Sequence, residues 1–220
     1  MAIDFFIPQS DAKVVFTPKA GAGLYQVTLP HSMAAILPQW GSVTPFVVRG
    51  RSGLAFKGPP PVTSEEFARD FEEVKAAGAR NSTTRTADQT AAAVFWTVQT
   101  AVPWHAAARA ASAARDLTVA QNARLFAILS MATADSQIIA FEEKYRNPHW
   151  RPITAIRGAS TLGNPALKGD PQWEPLLGTP PHPEYPSAHA AFSGAAEAVL
   201  TKYFDTDSVH VVATFHLFSE

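Results

Sequence analysis

The stretch TVAQNARLFAILSMATADSQIIAFEEKYR, residues 118–146, decides the fold. Thr118 and Gln121 match a capping box, a pair of side chains that bonds reciprocally to the backbone at a helix start. Asn147-Pro148 predicts the helix end, because a residue before proline is disfavoured in the helical region. Few charges interrupt the run, which is typical of a helix at the centre of a bundle. Its more apolar side is formed at helical spacing by Ala123, Phe126, Ala127, Ser130, Ala134, Ile138 and Phe141.

Two more capping boxes predict helices on the N-terminal side of this stretch. The box from Thr63 to Glu66 begins a helix that Gly78 ends, since glycine is common just past a helix. The box from Thr86 to Gln89 begins a helix through Ala91–Val98. Pro103 is predicted to interrupt that helix, which continues as the alanine-rich segment Trp104–Arg115.

Helices are also predicted on the C-terminal side of the central stretch. Arg151-Pro152 resembles a helix start, with proline at the first helical position. A Gly/Pro-rich loop over residues 158–186 follows, and Ser187 then caps a helix over Ala188–Phe204. A short strand or loop edge is predicted at Val209–Val212. The elements predict an all-α helical bundle around one core.

The first 62 residues are irregular in this prediction. Prolines punctuate them, and short strands are predicted at Val14–Phe16 and Phe46–Val48. Such a segment is expected to wrap a helical body. The predicted organisation is therefore an irregular N-terminal wrap over residues 1–62 and a helical domain over residues 63–220.

Composition excludes several classes of protein. The chain has 220 residues, of which 46% are apolar, enough for a sizeable core. Eighteen basic and nineteen acidic residues give a net charge of −1, which argues against a nucleic-acid partner. Cysteine is absent, which excludes disulfides, a thiolate nucleophile and Cys-ligated metal sites.

Membrane and export signals are not readable in the sequence. No uninterrupted apolar run approaches the about 18 residues of a membrane helix, so no span is predicted. Met1-Ala2-Ile3-Asp4 offers no basic region before an apolar stretch, so no signal peptide is predicted. The localisation stays open.

Lys144 and Arg151 are predicted to converge at one corner of the bundle. Lys144 lies near the end of the long helix, and Arg151 immediately precedes the next helix start. The turn between them contains Pro148 and Trp150. A planar guanidinium and a compact ammonium together suit a tetrahedral oxyanion such as phosphate.

The segment Pro186-Ser187-Ala188-His189 adds a second anion-binding element. The first turn of a helix presents unpaired N–H groups and the positive end of the helix dipole. The Ser187 hydroxyl and the Ala188 N–H could both donate to an anion there. Histidine is the side chain most often used as general acid or base near neutral pH, so His189 is a candidate for that role.

Taken together, Lys144, Arg151-Pro152 and Ser187-x-His189 resemble the first two motifs of a known superfamily. It contains the type 2 phosphatidic acid phosphatases and the vanadium-dependent haloperoxidases, and the soluble haloperoxidase-related branch is the better likeness. The likeness extends over about residues 17–220. Other segments that carry it are Leu37–Gly41, Asn81–Thr86, Asn122–Ala127 and Pro180–Ser187.

The resemblance implies a cofactor and a role for each matching residue. Lys144 and Arg151 would hold oxygens of bound vanadate, for which phosphate would compete. Ser187 and the N–H of Ala188 would add hydrogen bonds, and His189 would be the acid–base residue. Hydrogen peroxide and a halide, or a phosphate ester, would be the substrates; a homo-oligomer stays open. His182 would neighbour the halide pocket, where histidine is more similar to bromide-type than to chloride-type enzymes.

The sequence departs from the family pattern in two places. The family's Ser-Gly-His is Ser187-Ala188-His189 here, which would be strained if the position required a positive φ. The family's third motif, an arginine followed by the histidine that binds vanadium, has no match. His210 and His216 lack the arginine context, so the chain is expected to be truncated, with the axial histidine beyond Glu220 and no metal ligand retained.

Three functions stay open at this point. The first is vanadate-dependent halide oxidation, and the second is phosphate-ester hydrolysis through a phosphohistidine at the same site. The third is a non-catalytic fragment of the same fold. The helical context and His182 favour halide oxidation over phosphate-ester hydrolysis. The unmatched third motif favours a non-catalytic fragment for this polypeptide.

Overall fold

The structure is a computed structural model that describes residues 13–28, 34–48, 56–97 and 99–206. It contains α1 (Glu65–Gly78), α2 (Ala87–Phe95), α3 (Ala101–Ala113), α4 (Val119–Arg146), α5 (Pro152–Arg157) and α6 (Ala188–Phe204). Two 3-10 turns lie at Trp40–Ser42 and Ala159–Thr161. Within these ranges no strand forms, and only the isolated bridges Leu24–His149 and Ala79–Pro175 occur. The all-α prediction is confirmed.

Two of the three predicted capping boxes form as expected. The Thr86 N–H donates to Gln89 Oε1 (2.9 Å), and the Gln89 N–H donates to Thr86 Oγ1 (3.1 Å). Thr118 and Gln121 bond in the same reciprocal way, at 2.8 and 3.4 Å. These contacts link residues three positions apart, so the local sequence is enough to specify them.

The start of α1 differs from the prediction by one residue. Ser64, not Thr63, is the N-cap, with extended backbone and a hydroxyl that accepts from the Phe67 N–H at 3.1 Å. Phe67 therefore occupies the position predicted for Glu66. Either hydroxyl can cap a helix, and burial of Phe67 and Phe71 on one face fixes the register.

Pro103 and the predicted strands also differ from expectation. Pro103 lies in the first turn of α3, where its missing N–H removes no helical hydrogen bond, so the interruption falls before it, between Phe95 and Ala101. Neither Val14–Phe16 nor Phe46–Val48 is a strand. The strand or loop edge predicted at Val209–Val212 lies outside the described residues, as do His210 and His216.

The first of two compact units comprises the described residues up to Val43, residues 56–91 and Phe141–Pro186. In this unit α1 packs against α5. The core is formed by Phe67, Phe71, Trp150, Ile153, Ala155, Ile156, Ala159, Leu167 and Trp173. Removing these aromatic and aliphatic side chains from water is the main force that fixes the α4–α5 turn against α1.

Two motif segments have clear structural roles in this unit. A Cβ on Gly41 would lie 2.5 Å from the Glu142 Cα, so only glycine permits this close approach to the end of α4. Arg85 donates to the carbonyls of Ala77 (2.6 Å) and Ala79 (2.7 Å) and so satisfies acceptors at the end of α1.

The second unit comprises residues 44–48, the described part of residues 92–140, and residues 187–206. Here α3 contacts α6, and alanines at the contact allow a close approach. The core is formed by Ala108, Ala111, Leu125, Leu129, Ala196 and Phe204. The sequence predicted one core, whereas each unit has its own. The predicted boundary at residue 62 stays a prediction.

By length and composition alone, α4 could cross a membrane; it is the one described helix of which this is true. A core helix of a soluble bundle has the same properties. Leu125 and Leu129 of α4 are fully buried in the second unit. The predicted absence of a membrane span stays a prediction.

Candidate oxyanion site

Lys144 lies in the last turn of α4 and is 1% exposed. Its Nζ donates to the carbonyl oxygens of Pro183 (2.7 Å) and Glu184 (2.8 Å), which uses two of the three ammonium N–H groups. Burial, together with the nearby charge of Arg151, lowers the Lys144 pKa to about 7, although Glu184 opposes the shift. The ammonium is therefore easily deprotonated and would be stabilised by an additional anion.

Arg151 lies at the start of α5 as its N-cap residue and is 7% exposed. Its Nε donates to the carbonyl oxygen of His182 (2.6 Å), and its Nη1 donates to Glu184 Oε2 (2.6 Å). Both cations of the predicted pair thus bind the same loop, residues 182–184. The structure brings Lys144, Arg151 and His182 together within the first unit.

His182 contacts the guanidinium through its ring as well as its carbonyl. Arg151 Nη2 lies 2.8 Å from His182 Nδ1 and 3.3 Å from Nε2, and Nδ1 also lies 3.0 Å from the Pro183 carbonyl oxygen. The ring also packs edge-on against Phe141, with centroids 5.4 Å apart. The contacts with Arg151 and Phe141 hold the His182 ring next to the cationic pair.

Glu184 lies at the candidate site, and sequence reasoning missed it. Its carboxylate forms an ion pair with Arg151, and its N–H donates to the carbonyl of His149 at 3.0 Å. Burial lowers the His149 pKa, and the Glu184 charge opposes that shift. The signal was present as an acidic residue in the Pro180–Ser187 segment, but nothing local showed that it would face Arg151.

Ser187, Ala188 and His189 begin α6 and belong to the second unit. The Ser187 hydroxyl accepts from the Ala190 N–H at 3.2 Å, which confirms the predicted cap. Ala188 is the first helical residue and is not among the described residues with positive φ, so alanine brings no backbone strain there. Its carbonyl accepts from Gln137 Nε2 (2.8 Å), and His189 is exposed.

The donor chemistry of the first unit fits an oxyanion. Two buried cations lie at one loop, and the Tyr25 hydroxyl is buried without a hydrogen-bond partner among the described residues. The same part of the chain holds no group of three or more His, Asp or Glu side chains that could bind a metal ion. Such a donor set favours the oxygens of vanadate or phosphate over a bare cation.

The described residues thus combine a helical fold with two buried cations at one loop. Residues 124–220 match the family described as the vanadium chloroperoxidase (VCPO) second helical-bundle domain. Vanadium chloroperoxidase from Curvularia inaequalis is 36% identical over 96 residues, which are 39% of this chain and 15% of that protein.

A solved structure gives a wider match. It is described as the first bacterial vanadium-dependent iodoperoxidase, and it is 30% identical with a TM-score of 0.74. The match covers 89% of this chain and 48% of the iodoperoxidase, so the chain spans about half its length. Together the findings support the predicted resemblance to vanadium haloperoxidase-related proteins.

Proposed function

We propose that this chain provides an oxyanion-binding part of a vanadate-dependent haloperoxidase, which oxidises a halide with hydrogen peroxide. One observation carries the proposal: buried Lys144 and Arg151 meet at the 182–184 loop, inside the segment that matches the family. The names of the similar proteins, a chloroperoxidase and an iodoperoxidase, favour halide oxidation over phosphate-ester hydrolysis.

In this proposal the two cations bind the oxyanion and stabilise its charge. Cationic donors held in a buried site are already oriented, so little reorganisation accompanies binding. An anion next to Lys144 would also raise the lowered pKa of that side chain and keep it charged. Vanadate, when bound, would supply the activation of peroxide towards the halide.

The remaining assignments follow the family motif. By that motif, the Ser187 hydroxyl and the Ala188 N–H are candidate donors to an oxyanion, and His189 is the candidate acid–base residue. His189 is exposed, so it can exchange protons with solvent. His182 borders the halide, where its ring next to Arg151 shapes the pocket.

Glu184 limits how tightly an anion can bind. Its carboxylate already accepts from Arg151 Nη1 at 2.6 Å. A bound oxyanion therefore competes with Glu184 for the guanidinium, or uses the remaining N–H groups of Arg151 and Lys144. We expect an affinity weaker than that of two unpaired cations.

The direct test is the binding of orthovanadate to the 220-residue chain, measured by isothermal titration calorimetry. We expect binding, competition by inorganic phosphate, and a loss of at least about tenfold in affinity in Arg151→Ala, since a buried charge contact is worth more than about 1.4 kcal/mol. Arg80→Ala is the matched control, because Arg80 forms an exposed ion pair with Glu174 at 2.7 Å. If wild type binds neither anion, the proposed site is wrong.

Activity assays separate the three functions that the sequence left open. Bromide or iodide oxidation that requires both peroxide and added vanadate supports the haloperoxidase. Phosphomonoester hydrolysis that vanadate inhibits would instead assign the site to a phosphatase. Anion binding without either activity would identify the chain as a non-catalytic part of the fold.

A further inference from the structure

Tyr25 has a hydroxyl that the roles assigned so far do not use. The residue is 1% exposed, and its Oη has no hydrogen-bond partner among the described residues. Nearly all buried polar groups in folded proteins are paired, because an unpaired group has lost its water without gaining a replacement. This hydroxyl therefore needs a physical explanation.

The backbone places Tyr25 against the turn between the two cations. The Tyr25 N–H donates to the Pro148 carbonyl (2.9 Å), and the Trp150 N–H donates to the Gly23 carbonyl (3.0 Å). This turn connects the end of α4 to Arg151. Four backbone groups thus fix the position of the tyrosine beside the candidate site.

The aromatic neighbours of Tyr25 include a residue at the end of α4. The Phe16 ring lies 6.3 Å from the Tyr25 ring and 5.0 Å from that of Tyr145, measured between centroids. Tyr145 is satisfied, because its hydroxyl donates to the Ile36 carbonyl. Burial raises the pKa of Tyr25, and the charge of Arg151 opposes this shift.

We propose that Tyr25 is a further oxyanion-binding residue, whose buried hydroxyl donates a hydrogen bond to the tetrahedral anion held by Lys144 and Arg151. This assignment rests on the proposed oxyanion site. A tetrahedral anion offers several acceptor oxygens, and a neutral O–H donor satisfies one without adding a third positive charge. It would therefore strengthen binding without lowering the pKa of Lys144 further.

The test combines anion affinity with thermal stability in Tyr25→Phe, which removes only the oxygen. Orthovanadate and inorganic phosphate are titrated at pH 7, and Tm is measured without anion. We expect the affinity for both anions to fall by about tenfold or more, as for the loss of one hydrogen bond to a charged group. We expect Tm to stay the same or rise by up to about 4 °C, since an unpaired buried group is removed.

The control is Tyr203→Phe in the second unit, where the hydroxyl donates to the Gln121 carbonyl at 2.9 Å. Loss of this satisfied bond should lower Tm by about 2–4 °C and leave anion affinity unchanged.

Two results overturn the role of Tyr25. One is an affinity within twofold of wild type in Tyr25→Phe. The other is a fall in Tm as large as that of Tyr203→Phe, which would show that the hydroxyl has a partner in the free protein. If the wild-type chain itself binds neither anion, the proposed oxyanion site is wrong and the role of Tyr25 is rejected with it.

Discussion

Two buried charged side chains on α4 each bind the backbone of a loop. Asp135 accepts hydrogen bonds from N–H groups, whereas Lys144 donates to carbonyl oxygens. Asp135 is 2% exposed and accepts from the N–H groups of Phe46 (2.7 Å), Val47 (2.8 Å) and Val48 (3.0 Å). Lys144 is 1% exposed and donates to two carbonyls of the 182–184 loop. The loop at Phe46–Val48 belongs to the second unit, and the 182–184 loop belongs to the first unit.

The surroundings of the two charges differ. Three neutral N–H dipoles point at the Asp135 carboxylate, which stabilises its negative charge. Lys144 faces a second cation, Arg151, and its pKa is lowered to about 7 by burial and by that neighbour. Asp135 therefore acts as a structural anchor. The Lys144 ammonium, by contrast, is destabilised by burial and by Arg151, and an added anion would stabilise it. Ionisable groups with a strongly shifted pKa, such as Lys144, are typical of functional sites.

Removing the anchor should have the largest effect on stability. We expect Asp135→Ala to lower the free energy of unfolding by about 3 kcal/mol, since three charge-assisted hydrogen bonds are lost. Urea denaturation measures this change. Asp70→Ala, at an exposed position of α1, should stay within about 0.5 kcal/mol of wild type. An equally small change in Asp135→Ala would show that the anchor contributes nothing to stability.

The second largest effect is a pH dependence of stability that only Lys144 should cause. Between pH 7 and pH 9 the unfolded chain keeps the Lys144 proton, whose ordinary pKa is 10.5, whereas the folded protein loses it. The unfolded state then binds more protons, so stability rises with pH, by up to about 1.4 kcal/mol per pH unit. Urea unfolding at pH 7, 8 and 9 measures the difference between wild type and Lys144→Met. A constant difference across this range would contradict the lowered pKa.

The third prediction concerns anion affinity. Lys144→Met should weaken orthovanadate binding at pH 7 by about tenfold, equal to about 1.4 kcal/mol, because a charged donor is lost. The same pKa predicts that wild-type affinity falls as pH rises through 7. Lys75→Met is the matched control, since Lys75 also donates to a backbone carbonyl, that of Lys168 at 2.6 Å. Equal affinity losses in the two variants would remove Lys144 from the site.

The smallest expected effect tests the competition at Arg151. Glu184→Gln should raise orthovanadate affinity by about threefold, or about 0.6 kcal/mol, because it removes a negative charge beside the bound anion. Glu174→Gln, which disrupts the exposed ion pair with Arg80, should leave the affinity unchanged. A loss of affinity in Glu184→Gln would instead mean that Glu184 positions Arg151 for the anion.

Local signals in the sequence were sufficient for most helices and for the candidate cations. The boxes at Thr86 and Thr118, the start at Pro152 and the cap at Ser187 each depend on residues within one helical turn. The choice of Ser64 over Thr63 was not local, because it depended on which face of α1 the core buries. Phe46–Val48 was mistaken for a strand because its partner, Asp135, is 87–89 positions away along the chain.

The sequence by itself determined the helical elements, the family resemblance and the identity of Lys144 and Arg151 as the candidate cations. Only the tertiary structure decided what those cations face: carbonyls and a carboxylate 31–40 positions further along the chain. Burial and the nearby Arg151 charge lower the Lys144 pKa, and burial leaves the Tyr25 hydroxyl without a hydrogen-bond partner among the described residues. Both depend on distances in space, which spacing along the sequence does not fix.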